Sequence, residues 1–177
     1  MNSSDPQRVT LQRLAGSPAE AATVQRVYDA APNYSRSTTG APSRPGAAQR
    51  TFAMLPDGCT PDAKHMHLIL HDGEPAGFVD VIRGYPDDGS AYVGLFLIAE
   101  THHGRGIGRT AYEQLETLIG QWPGVRRIEL SALALNEPAL GFWAAMGFSP
   151  TGKRTAYAQG RVKSENVFFS KSLGNAA

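Results

Sequence analysis

Three glycines fall within five positions in the stretch His102-His103-Gly104-Arg105-Gly106-Ile107-Gly108-Arg109-Thr110. Glycine lets a backbone turn tightly and leaves no side chain between its N–H groups and an approaching ligand. An apolar run, Ala91 to Ala99 (AYVGLFLIA), stands immediately before, with the length and composition of a buried strand. Ala111, Tyr112, Leu115, Leu118 and Ile119 follow at helical spacing. The glycines therefore sit where a strand ends and a helix begins. There the free N–H groups and the helix dipole suit a phosphate or pyrophosphate, and Arg105 and Arg109 add positive charge.

Two common phosphate motifs fit poorly. Gly106 to Ala111 matches the dinucleotide pattern G-x-G-x-x-G/A, with Glu129 roughly 20 residues on. An antiparallel hairpin precedes the loop, however, and only one crossover follows, so the βαβαβ context of a nicotinamide-dependent oxidoreductase is missing. Glu129 also falls inside a strand. A Walker A loop would need lysine where Arg109 stands and glycine where His103 stands.

The elements around the loop read in order. Arg8 to Leu14 alternates as an edge strand. Ser17-Pro18-Ala19-Glu20 is a capping box opening a helix to about Ala30, with Ala21, Val24, Val27 and Tyr28 inward and Pro32 closing it. Asn33 to Pro45, rich in Ser, Thr, Gly and Pro, reads as a loop, followed by a short helix over Gly46 to Leu55. The 33–64 segment is a candidate substrate contact or lid, or a plain surface connection. His65–Leu70 and Ala76–Ile82 form a hairpin through Asp72-Gly73-Glu74-Pro75, and Gly84 to Gly89 turns into the Ala91 strand. The glycine loop and a helix from His103 to about Gln121 lead to a strand over Val125–Leu135. Reaching it through a helix makes it parallel to the Ala91 strand. A helix from Glu137 to Met146 is stopped by Gly147, a final antiparallel pair runs from Phe148 and over Val162–Ser170, and the tail from Leu173 should be loose.

A chain of 177 residues supports one domain over 1–177 with its own core. A net charge of +1 without a basic run argues against nucleic-acid or anionic-membrane partners. MNSSDPQR lacks the apolar core of a secretion signal, and no stretch reaches ~18 apolar residues. One cysteine, Cys59, excludes an internal disulfide, and a cytoplasmic location is the expectation.

A second segment follows one helix and one strand after the loop: Asn136, Ala139, Phe142, Trp143, Gly147 and Phe148. With His103-Gly104-Arg105-Gly106-Ile107-Gly108, it resembles the GCN5-related N-acetyltransferase (GNAT) superfamily. That family's loop reads Gln/Arg-x-x-Gly-x-Gly/Ala, and its later motif reads Asn-x-x-Ala-x-x-Phe-(Tyr)-x-x-x-Gly-Phe. The resemblance covers Ala76 to about Lys153 well and the N-terminal third only by its strand-helix-helix plan.

The resemblance implies an α/β fold with a mixed, mostly antiparallel sheet of about six to seven strands, about four flanking helices and a splayed central parallel pair. It implies transfer of acetyl from acetyl-CoA, with no metal, to a primary amine of a small molecule or peptide. Pantetheine would bond the backbone of Phe96, Leu97 and Ile98. The pyrophosphate would lie over His103, Gly104, Arg105, Gly106, Ile107 and Gly108, with Arg109 and Thr110 at the helix start. Asn136 would bond the cofactor, and Phe142 and Trp143 would wall its channel. His103 replaces the usual Gln or Arg, and Trp143 replaces a tyrosine that could protonate the leaving thiolate, which leaves Tyr92, Tyr157 or water for that role. Asp80 is the first candidate base and Glu100 the second, although a strand aspartate more often faces solvent. The unassigned acid and base leave a catalytically silent CoA-binding module as the alternative. Dimers are common in the family, so a homodimer is compatible.

Other residues point less clearly to chemistry. His65, His67 and His71 share strand parity but lack a completing ligand, so a polar outward face is expected rather than a metal site. Cys59 has no nearby histidine partner and reads as a bystander. Tyr85-Pro86, Asp87 and Asp88 read as turn residues, with a substrate mouth as the alternative.

Overall fold

The computed structural model describes residues 8–174. Among these residues seven strands form one sheet in the order β1-β2-β3-β4-β5-β7-β6. They are β1 (Val9–Arg13), β2 (Lys64–His71), β3 (Glu74–Arg83), β4 (Ser90–Ile98), β5 (Arg127–Leu133), β6 (Ser149–Gln159) and β7 (Val162–Ser172). Among the described residues only β4 and β5 pair in parallel, as their helical connection requires. The helices are α1 (Pro18–Asp29), α2 (Pro32–Thr39), α3 (Ala47–Ala53), α4 (Ile107–Gly120) and α5 (Glu137–Ala145).

Both faces of the sheet are covered. Val79, Val81, Ala91 and Val93 pack with Tyr112, Leu115 and Ile119 of α4 and Trp143 of α5. On the other face, Met66, Leu68, Phe78 and Leu97 meet Ala21, Val24 and Val27 of α1 and Ala48 of α3. The capping box of α1 forms as the sequence predicts: Ser17 Oγ accepts from the Glu20 N–H, and the Glu20 carboxylate accepts from the Ser17 N–H. Asp72 and Gly73 both take positive φ, 55° and 80°, which makes the two-residue turn of the β2–β3 hairpin.

Four expectations are corrected. Residues 33–39 are helical rather than loop: Pro32 occupies the first turn of α2, the hydroxyls of Ser37, Thr38 and Thr39 bond back to its carbonyls, and Tyr34 packs on Tyr28. Helix α4 begins at Ile107, not His103, because Gly104 and Gly106 adopt left-handed φ of 70° and 76°. The β2 histidines do not form a polar outward face: His67 and His71 are buried, and His65 lies half-buried against Trp122, ring centroids 4.5 Å apart. Leu173 is tied down by its N–H to the Arg126 carbonyl at 2.8 Å; the rest of the expected loose tail lies beyond Gly174, outside the described residues.

Candidate active site

Two irregularities create the site. On β4 the register with β3 slips between Asp80↔Leu95 and Val81↔Val93, leaving Gly94 as a bulge. The bulge reverses side-chain parity, so Ala91 and Val93 face α4 whereas Leu95 and Leu97 face α1. Just past it, β4 and β5 part. Their pairing covers only Ser90–Val93 against Arg127–Leu130, while Ser131–Leu133 remain paired with β7.

The β4 edge inside this splay carries unused backbone groups. The Ala99 N–H bonds the Ala76 carbonyl, so by strand alternation the groups of Leu97 face β3 and those of Phe96 and Ile98 face the opening. The Ile98 carbonyl already meets His103 Nε2 at 2.9 Å, so the His103 ring ties the glycine loop to the end of β4. Phe96 stacks on Phe142, centroids 5.8 Å apart, at the base of the splay.

At the start of α4, Gly106 supplies the N-cap without a side-chain bond, and the first intrahelical bond there is Thr110 N–H to the Gly106 carbonyl at 3.1 Å. The N–H groups of Ile107, Gly108 and Arg109 thus point beyond the helix without a backbone partner among the described residues. A Cβ on Gly104 or Gly106 would meet nothing within 4 Å, so the space over the loop is open. Arg105 is exposed; Arg109 makes only a long, exposed contact with Glu113 at 4.0 Å. Free N–H groups, two arginines and an open strand edge fit a pyrophosphate-bearing acyl carrier with an amide-containing arm.

On the α1 side of the bulge lies a cavity of about 930 Å³, lined by residues of α1, α2, α3, β3, β4 and the β6–β7 hairpin. Asp80 forms part of its wall. The carboxylate is buried, 7% exposed: Oδ2 accepts from Lys64 Nζ at 2.8 Å, whereas Oδ1 has no partner among the described residues. Lys64 Nζ also donates to the Met54 carbonyl at 2.8 Å. Burial pushes the Asp80 carboxyl above the usual carboxylate range, and the Lys64 hydrogen bond and charge pull it part of the way back. Gly94 makes room for this group, because a Cβ there would lie 3.3 Å from Asp80 Oδ2.

Tyr92 lines the cavity and donates to Ser131 Oγ at 2.9 Å, bridging β4 to β5; burial raises its phenol above the ordinary range. Tyr157 also lines the cavity, and its hydroxyl donates to the Thr38 carbonyl at 2.9 Å. Glu100 does not line the cavity; its Oε1 accepts from the Asn33 N–H at 2.7 Å in the first turn of α2. Asn136 Oδ1 caps α5 through the Ala139 N–H at 3.2 Å. Trp143 is 6% exposed and packs against Phe96, Tyr112 and Phe148, which makes it core. Thr110 turns its hydroxyl back onto the Gly106 carbonyl. Asp87 pairs with Arg127 and closes the turn before β4. Among the described residues, no group of three or more His, Cys, Asp or Glu could hold a metal ion, and no helix is long and apolar enough to cross a membrane.

Lys64 was not among the sequence candidates, yet it is the group that fixes Asp80.

Comparison with known proteins identifies the family and the fold. Residues 28–148 match the model of the acetyltransferase (GNAT) family. An acetyltransferase from Thermus thermophilus is 26% identical with a TM-score of 0.71, covering 93% of this chain and 97% of its own. The ribosomal-protein-S18-alanine N-acetyltransferase of Escherichia coli shares the fold at 14% identity and TM-score 0.65, covering 96% and 98%. An N-acetyltransferase from Staphylococcus aureus Mu50 does so at 13% and 0.70, covering 94% and 99%. Comparison with curated protein sequences returns no match.

Proposed function

As a member of the GNAT family this chain is an N-acetyltransferase, and we propose that it moves acetyl from acetyl-CoA directly to a primary amine, with Asp80 taking the amine's proton. The observation that carries the reading is Asp80, which lines a cavity at the β4 bulge beside the opening between β4 and β5 and whose buried Oδ1 has no partner among the described residues.

When bound, acetyl-CoA supplies a thioester whose acyl carbon an uncharged amine can attack. The residues proposed to hold it are Phe96 and Ile98, through their backbone groups in the splay, and Gly104 to Arg109, through the loop and the start of α4. His103 fixes the loop against β4, and Phe142 supports Phe96 from below. Asp80 accepts the proton at Oδ1 as the C–N bond forms and the C–S bond breaks. Lys64 holds the other oxygen and favours the ionised, proton-accepting form. The Tyr92 phenol stays protonated across neutral pH and is proposed as the donor to the departing sulfur, the part that Trp143 cannot play.

Supplying acetyl-CoA with an amine should release thiol only when the amine is present, and the amine should gain acetyl on nitrogen. Acetyl-CoA alone should raise the melting temperature, as a ligand of the folded state does. Absence of both effects would contradict the proposal.

A further inference from the structure

We infer that the acceptor amine also carries an anionic group, a carboxylate or a phosphate-class substituent, which Arg44 and Arg50 receive at the cavity wall. The inference rests on the acetyl-transfer reading and names the acceptor's chemistry.

Three charged side chains line the cavity: Asp80, Arg44 and Arg50. The negative charge of Asp80 is already answered by Lys64 at 2.8 Å. Neither arginine has a carboxylate partner among the described residues. The one bond from the Arg50 guanidinium is a long one, 3.4 Å, to the Pro45 carbonyl. The charge of Arg50 reaches the interior of the site. Burial raises the Tyr28 phenol above its ordinary range, its hydrogen bond with Thr51 lowers it, and Asp80 and Arg50 then act on it with opposite signs. The lining as a whole is therefore cationic.

A simple alkylammonium would enter such a site against repulsion, because the one carboxylate of the lining, Asp80, is already paired with Lys64. An amine that carries its own anionic group reverses that balance. The forked guanidinium donors match a carboxylate or phosphate in two parallel bonds. Both arginines are exposed, Arg44 in the segment joining α2 to α3 and Arg50 on α3 itself, so they stay hydrated without an acceptor and need no buried counter-ion.

The test measures amine-dependent thiol release from acetyl-CoA with matched acceptors. These are an α-amino acid beside its methyl ester and its decarboxylated amine, an aminoalkylphosphonate beside the plain aminoalkane, and an acidic tetrapeptide beside its amide twin. The wild type should favour the anionic member by about tenfold or more in kcat/KM, the range of a charge-assisted hydrogen bond. In the Arg44→Ala/Arg50→Ala variant the ratio should fall toward one through a rise in KM for the anion, and Arg50→Lys should restore part of it. Whether the free acid or the acidic peptide shows the arginine-dependent preference identifies the anion's source. Equal turnover within every pair, or a preference that survives the double substitution, overturns the inference and leaves acetyl transfer standing. No amine-dependent thiol release with any member overturns the reading and the inference together.

Discussion

In the proposed mechanism the proton passes to a single oxygen, Asp80 Oδ1, whose surroundings set how readily it can take it. Asp80 Oδ1 is buried and unpaired while its sibling is held by Lys64, so the carboxylate is oriented without being satisfied. A group in that state is costly to bury and ready to accept a proton. Lys64→Met should leave the carboxylate without its cation. That raises the Asp80 pKa further, so the acid limb of the kcat/KM profile should move to higher pH. The change should also cost about 3–5 kcal/mol of stability, the range for breaking a buried pair from one side; pH–rate profiles and urea unfolding check the two effects. Asp80 was legible as a candidate because it lies on the strand beside the apolar run. Its environment was not. A plain two-residue hairpin turn would set His65 opposite Asp80 and turn Lys64 to the other face. The slip between Ile69 and Leu70 instead sets Met66 opposite Asp80, with Lys64 on the same face.

At the scale of elements, the glycine loop and the Asn136–Phe148 segment were readable because each couples a hydrophobic period to residues with one conformational role. Helix α2 was not, because hydroxyl residues that usually mark loops here bond back to their own helix. Helix α2 matters to the site because it is fastened over the cavity. The Arg161 N–H bonds the Thr39 carbonyl at 3.1 Å, the Tyr157 hydroxyl bonds the Thr38 carbonyl, and a Cβ on Gly160 would collide with the Thr39 carbonyl. Gly160→Ala should therefore lift the β6–β7 hairpin from α2 and open one wall of the cavity. The expected result is a KM for the amine raised about tenfold or more, the loss of one or two well-placed contacts, with the acetyl-CoA thermal shift retained.

Across the whole molecule, two histidines link the sheet to acid stability. Burial, together with the charge of Arg13, lowers His65 and His67 to about 4; Arg83 adds to the effect on His65, which Asp62 opposes, and His65 itself adds to that on His67. In the unfolded chain both titrate near 6.5. Between these values the unfolded state binds more protons, so stability should fall as pH drops from about 6.5 toward 4. Urea midpoints at pH 7 and pH 5 should show the loss, and His67→Gln should reduce its slope; equal midpoints at the two pH values would contradict it.

The central step of the proposed mechanism is proton removal by Asp80, and the most direct measurement is kcat for Asp80→Asn under saturating acetyl-CoA and acceptor. The asparagine keeps an oxygen for Lys64 but cannot take a proton at neutral pH. A fall of about 10²- to 10⁴-fold is expected, the range for general-base catalysis, with the acetyl-CoA thermal shift unchanged. Turnover at the wild-type rate would contradict it.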